Sequence, residues 1–203
     1  MKALVLVLLT MFALPAGAGG VELLRAFIAE VKGMKAEFTQ ATVDGNGRAV
    51  QQAAGSFQFQ RPGRFRWATV RPYEQLVVGD GRKVWLYDRE LDQVTVKNMG
   101  DALGSSPAAL LAGSGELDRA YRFSTLPRRD GLEWVEATPV DPDSSFERMR
   151  IGFRKGNPEV MELLDRLGQT TTIRFTRLER NPKLPAELFR FTPPPGADVV
   201  GDP

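Results

Sequence analysis

Hydrophobic residues in the first part of the chain pass through three regimes: a continuous apolar run over 3–14, a helical period over 21–32, and a period of two from Met34 onward. In the second regime Val21, Leu24, Ile28 and Val31 recur at spacings of three and four, with Glu22 early, Lys32 late and Gly33 as a stop, which predicts an amphipathic helix over 21–32. Its apolar stripe needs a surface to cover. Met34, Ala36 and Phe38 then alternate with Lys35, Glu37 and Thr39, giving a strand with one dry face. The tetrapeptide DGNG at 44–47 turns the chain into a return strand over 49–60, and RPGR at 61–64 places Pro62 and Gly63 where a type II turn prefers them. Further strands are predicted at 75–78, 83–88, 93–97, 121–125, 133–138, 148–153, 160–165 and 170–178, separated by turns rich in Gly, Pro and Asp. Two short helices interrupt them: AALLAG at 108–113, with Ser106 as N-cap, Pro107 at the first position and Gly113 as the stop, and a turn at LPAEL, 184–188. The pattern describes a mainly β protein with some α: one continuous, curved, largely antiparallel sheet, with consecutive strands as neighbours. So many strands in one sheet curl or close.

The opening run changes the picture of where this protein works. Lys2, the apolar stretch, Pro15 and the small residues Ala16, Gly17 and Ala18 form a secretory signal ending in an A-x-A site, so 1–18 is expected to be removed and 19–203 to form a single exported domain. The chain has 27 basic and 25 acidic residues; loss of the leader's one lysine brings the two close to balance. A nucleic-acid partner normally leaves a basic excess on one face, and none is present. Cysteine and histidine are both absent. No disulfide, thiol nucleophile, lipidated cysteine, Ser-His-Asp triad or ordinary zinc site is available to this sequence. Asp141 with Asp143, and Asp88 with Glu90, sit in turns that Asp initiates, and no phosphate-binding or dinucleotide fingerprint occurs. No enzymatic activity, cofactor or metal is expected.

The stretch GSFQFQRPGRFRWATVRP, 55–72, sets rings among arginines. Alternation puts Phe57 and Phe59 on one strand face and Gln58 and Gln60 on the other; after the turn Phe65 and Trp67 oppose Arg64 and Arg66. The rings face either an ordinary core or an apolar cavity roofed by the short helices. Arg61 shares the parity of Phe57 and Phe59. If the strand runs straight to the turn, its guanidinium faces the dry side, where the unpaired carbonyls at a helix end are natural acceptors. If the strand stops at Gln60, Arg61 points to water.

These residues, in their order, resemble the family of periplasmic outer-membrane lipoprotein carriers, LolA. The resemblance rests on MKAEFTQ at 34–40, RP at 61–62 followed by Phe65 and Trp67, VGDGRKVWLYD at 78–88, GSSPAALLA at 104–112 and FTPPPGADV at 191–199. It implies a half-open, incomplete β-barrel covered by a lid of short α-helices, whose cavity holds the acyl chains of lipoproteins. It further implies cargo received from an inner-membrane lipoprotein-releasing ABC transporter, delivery to an outer-membrane lipoprotein receptor, and action as a monomer. It gives Arg61 the role of a latch, bonded to main-chain groups aligning with Ile28, Leu111 and Ala112. Phe38, Phe57, Phe59, Phe65 and Trp67, with Leu76, Val78, Trp85 and Leu110, are then the cavity candidates. Ala108 and Ala109 depart from the bulkier lid residues the family leads one to expect. A lipid- or lipoprotein-sensing regulatory protein, or a shuttle for another lipid, is the alternative on the same fold.

Overall fold

A computed structural model describes residues 19–103, 106–113 and 117–201. The expected leader over 1–18, and Gly104 and Ser105 of the GSSPAALLA motif, lie outside the described residues. The elements in chain order are α1 (Gly20–Glu30), β1 (Gly33–Val43), β2 (Ala49–Gln60), β3 (Arg64–Arg71), β4 (Gln75–Asp80), β5 (Lys83–Asp88) and β6 (Gln93–Asn98). Helices α2 (Met99–Leu103), α3 (Pro107–Ala112) and α4 (Leu117–Ala120) follow, then β7 (Tyr121–Arg129), β8 (Leu132–Pro139), β9 (Phe146–Arg154), β10 (Asn157–Asp165) and β11 (Thr170–Arg180). A 3₁₀ turn (Ala186–Phe189) and β12 (Asp198–Gly201) complete the chain.

The strands form one curved, unclosed sheet of 12 strands in the order β12-β6-β5-β4-β3-β2-β1-β11-β10-β9-β8-β7. Hairpin succession explains two runs of neighbours, β1 to β6 and β7 to β11. The runs join where β1 pairs with β11, so β6 and β7 end up far apart and the helices between them cross the concave face. All described pairings are antiparallel except β12, which returns to lie parallel to β6. Periodicity did not predict β12. Its four residues carry no alternation, and pairing with β6 alone defines it.

Register assigns the faces. Phe57 lies opposite Ala36 and Trp67, and Phe59 opposite Met34 and Phe65, so these side chains share the concave face. The same face continues through Phe38 to Phe175, and Ile173 to Met161, Ile151 and Val135. Together with Leu24 and Phe27 of α1 and Leu110 and Leu111 of α3 they form one buried apolar cluster. Helix α1 settles onto it because its first residue has no side chain: a Cβ on Gly20 would stand 2.0 Å from the Trp134 carbonyl oxygen, so the helix start lies directly on the β8 backbone. The helix stops at Val31, whose backbone turns extended (φ −91°, ψ 104°) and leads into β1.

The convex face carries a second apolar layer. Val78 lies opposite Arg66 and Trp85, and Trp85 opposite Val96, which places these residues outside the barrel. The C-terminal segment covers them: Phe189 is buried, the 3₁₀ turn touches β3 and β4, and Phe191 packs 5.9 Å from the rings of both Trp85 and Tyr87.

Candidate functional site

The β2–β3 hairpin tip reaches the place where two helix ends meet. Arg61 N donates to Lys32 O (2.8 Å), just past α1, and Gly63 N donates to Ala112 O (3.3 Å), at the end of α3. Gly63 takes φ +65°, as a turn glycine should, while the peptide before Pro62 is cis. From this tip the Arg61 side chain runs inward. Its Nε donates to Val31 O (2.9 Å) and its Nη1 to Gly113 O. Val31 is the C-cap of α1 and Gly113 that of α3, so one guanidinium satisfies a carbonyl released by each of two helix ends. The positive charge also suits the negative end of each short helix.

The guanidinium also lies beside two rings. Its carbon lies 4.8 Å from the Phe59 ring centroid and 5.5 Å from that of Phe27. Burial pushes its pKa down to about 10. Nη2 finds no hydrogen-bond partner among the described residues. On the far side of the α1–β1 link, Asn181 Oδ1 accepts from Lys32 N (2.7 Å) and Gly33 N (3.1 Å), and Asn181 N donates to Gly33 O (2.7 Å). The segment presenting the Val31 carbonyl is therefore held between Arg61 and Asn181. A second, exposed tie joins the helices: Arg25 of α1 forms two hydrogen bonds with Asp118 of α4 (3.1 and 3.2 Å).

Behind the latch the interior is packed with rings. Phe38 and Trp67 centroids are 4.3 Å apart, Phe57 and Trp67 5.0 Å, and Phe57 and Phe59 5.8 Å. A hollow of about 220 Å³ opens at the start of α3, walled by Trp67, Val77, Ile173, Leu163, Phe146 and Ala108, with Gln40 and Thr171 at its polar side. A further depression of about 210 Å³ separates α1 from α4. A larger groove of about 820 Å³ lies between Arg71 and Arg174, lined chiefly by convex-face residues such as Thr39, Ala54 and Thr172 and bordered also by Gln40.

The sequence-predicted residues divide as follows. Phe38, Phe57, Phe59, Phe65, Trp67 and Leu110 meet in the concave cluster. Arg61 points inward, but its acceptors are Val31 and Gly113; Ile28 makes no bond to it, Leu111 packs in the core, and Ala112 O accepts from Gly63 N instead. The carbonyls of Ile28, Leu111 and Ala112 also lie in the last turns, where intrahelical partners run out, but the guanidinium reaches the residue just past each helix, Val31 and Gly113. Leu76, Val78 and Trp85 must be moved: register puts them on the convex face, and Val77 and Val84 take the concave positions. Leu76-Val77-Val78 is apolar on both parities because both faces of β4 are covered, so alternation there could not choose. Phe27 and Asn181 were missed. Phe27 is legible as the residue three after Leu24; Asn181, in a left-handed conformation (φ +52°) after the last long strand, gives only a weak turn signal.

A half-open barrel whose apolar interior is roofed by tethered helices defines a binding protein for apolar chains. Comparison with known proteins is specific: the model of the family "Outer membrane lipoprotein carrier protein LolA" matches residues 29–192, and the chain belongs to that family. It is 51% identical over 92% of its length to an outer-membrane lipoprotein carrier protein of Dechloromonas aromatica, covering 90% of that relative. It is 48% identical over 93% of its length to the protein of the same name in Bordetella avium, again covering 90% of it. Among solved structures, a LolA superfamily protein from Nitrosomonas europaea superposes with a TM-score of 0.51 at 11% identity, over 86% of this chain and 98% of that one. A DUF1329 family protein from Desulfovibrio piger gives 0.53 at 14% identity, over 83% and 94%. At those identities the likeness is one of fold.

Proposed function

We propose that this protein carries the acyl chains of lipoproteins through the periplasm, receiving them from an inner-membrane ABC transporter and yielding them to an outer-membrane receptor. The observation that carries this reading is a ring-lined interior closed by two helix ends tied to one buried arginine. The names borne by the relatives support it. An acyl chain of about sixteen carbons has apolar surface worth on the order of 12 kcal/mol, at about 0.8 kcal/mol per methylene, so its unaided passage through water is negligible. A carrier must shield that surface and still let go. Arg61 acts as the latch: loading displaces α1 and α3 and breaks its two bonds, and their re-formation favours release. The whole cycle is binding and conformational change, with no catalytic step. Incubating the purified mature protein with spheroplasts that retain newly made lipoprotein tests this directly. Lipoprotein should appear in the soluble fraction in a one-to-one complex; its retention in the membrane at every carrier concentration would refute the reading.

A further inference from the structure

The concave face is not uniformly apolar. Near the latch the paired rows are Phe59 with Phe65 and Phe57 with Trp67; moving away from it, the next row runs Gly55, Thr69 and Gln75. On the other side of β1 the change comes later, from Phe38 opposite Phe175 to Gln40 opposite Ile173, and then to Thr42 opposite Thr171. The interior therefore has an aromatic end at Arg61 and an amide-and-hydroxyl end at the far side. The 220 Å³ hollow lies at the boundary, with Gln40 and Thr171 facing the same space as Trp67, Ile173 and Phe146.

Two features distinguish this boundary from polar residues that merely face water at a barrel rim. The Gln40 side chain, half-buried against an apolar hollow, has no protein hydrogen-bond partner among the described residues. Thr42, only 7% exposed, is bonded hydroxyl to hydroxyl with Thr171 at 2.9 Å. One of those two hydroxyl protons is used in that bond and the other is free. The hollow thus offers a carboxamide NH₂ as a donor beside apolar walls, and the Thr42–Thr171 pair, which reaches it through Thr171, offers a second donor when Thr42 supplies the proton between them.

We propose that Gln40, with the Thr42–Thr171 hydroxyl pair, is a subsite for the carbonyl oxygens of the cargo's linkage region, the esters and amide that join fatty acyl chains to the glyceryl-cysteine head. It fixes the direction of loading: acyl tails lie toward Phe57, Phe59 and Arg61, and the head leaves past Gln40 and the start of α3. Ester and amide carbonyls are acceptors that would otherwise lose their water on entering the barrel, so donors placed at the depth where the chain becomes polar recover that loss. The assignment rests on the carrier reading and adds an orientation and a chemical selectivity to it.

The test compares two synthetic lipopeptides, a dipalmitoylglyceryl-cysteinyl peptide with ester links and its dihexadecyl counterpart with ether links, as displacers of the hydrocarbon fluorophore diphenylhexatriene from the mature protein. The wild type should bind the ester about five- to tenfold more tightly, the effect of about one net hydrogen bond. In Gln40→Leu that ratio should fall to within about twofold while the fluorophore still binds, a difference that isolates the pairwise interaction. Thr171→Val reads the same ratio should Gln40→Leu fail to bind the fluorophore. A wild type that does not distinguish ester from ether, or variants that keep the full ratio, overturns the subsite and leaves the carrier reading standing. Failure of either lipopeptide to displace the fluorophore overturns both.

Discussion

Replacing Arg61 with leucine should make the protein hold its cargo more tightly and surrender it more slowly, without unfolding it. Each donation from a charged guanidinium to a carbonyl contributes about 1.5–3 kcal/mol, so the bonds to Val31 O and Gly113 O together supply roughly 3–6 kcal/mol to the closed form. Burial opposes this: the fall of the guanidinium pKa from its ordinary value to about 10 corresponds to on the order of 3 kcal/mol against the charged group. The net latch is therefore between roughly 0 and 3 kcal/mol, strong enough to bias the lid and weak enough to be broken. Since only the closed, empty form enjoys it, Arg61→Leu should raise affinity for the ester lipopeptide by about tenfold for each 1.4 kcal/mol of latch lost. Stability should change by less than about 2 kcal/mol, because a leucine can pack against the Phe27 and Phe59 rings beside which the guanidinium now lies. Lipopeptide displacement measures the first quantity, urea denaturation the second, and transfer to receptor-bearing membranes the consequence. A variant that binds and transfers cargo as the wild type does would refute the latch.

Other expectations concern the parts around it. Asn181→Ala, which removes the acceptor of two backbone N–H groups and places alanine at positive φ, should cost about 1–2 kcal/mol and reproduce a fraction of the Arg61→Leu affinity gain; Asn181→Asp, keeping acceptor and conformation, should restore both in denaturation and displacement measurements. Phe189→Ala should lower stability by about 3–4 kcal/mol in urea yet leave lipopeptide affinity unchanged, since Phe189 belongs to the convex layer. Loss of affinity as well would contradict the separation of the two layers. Above pH 10 two buried groups act in opposite directions. Burial raises the Tyr121 hydroxyl above its usual 10, so the unfolded state loses that proton first and stability falls with pH; Arg61, depressed to about 10, is deprotonated first in the folded state, and its contribution to stability rises with pH from there. Tyr121→Phe should make the alkaline loss of stability shallower and Arg61→Leu steeper, each by up to about 1.4 kcal/mol per pH unit, as read by denaturation at pH 10–12.

The parts of this molecule that could be read in advance are those where one physical constraint acts alone. Alternation in β1, β2 and β3 faces a single buried side, so it placed Phe38, Phe57 and Trp67 correctly and turned Arg61 inward. Where two constraints overlap, periodicity lost its power. In β4 and β5 the convex face is covered by a segment about a hundred residues further along the chain, so Leu76, Val78 and Trp85 are apolar for a reason unrelated to the cavity. The acceptors of Arg61 were also out of reach in detail. That a helix end should supply them follows from elementary hydrogen-bonding needs, but choosing Val31 and Gly113 requires the place where α1 and α3 stop relative to the hairpin tip. The sheet order follows from hairpin succession except for the junction of β1 with β11 and the parallel return of β12 to β6, long-range pairings that no local turn encodes.

The central claim is that the ring-lined interior receives the acyl chains of a lipoprotein, and native mass spectrometry of the protein recovered from the periplasm of its own cells measures that occupancy. A fraction of molecules should carry one acylated protein each, the fraction should be larger for Arg61→Leu, and removing the acyl chains with a lipoprotein lipase should dissociate the pair. Recovery of a free glycolipid or phospholipid in place of acylated protein, in both wild type and variant, would contradict it.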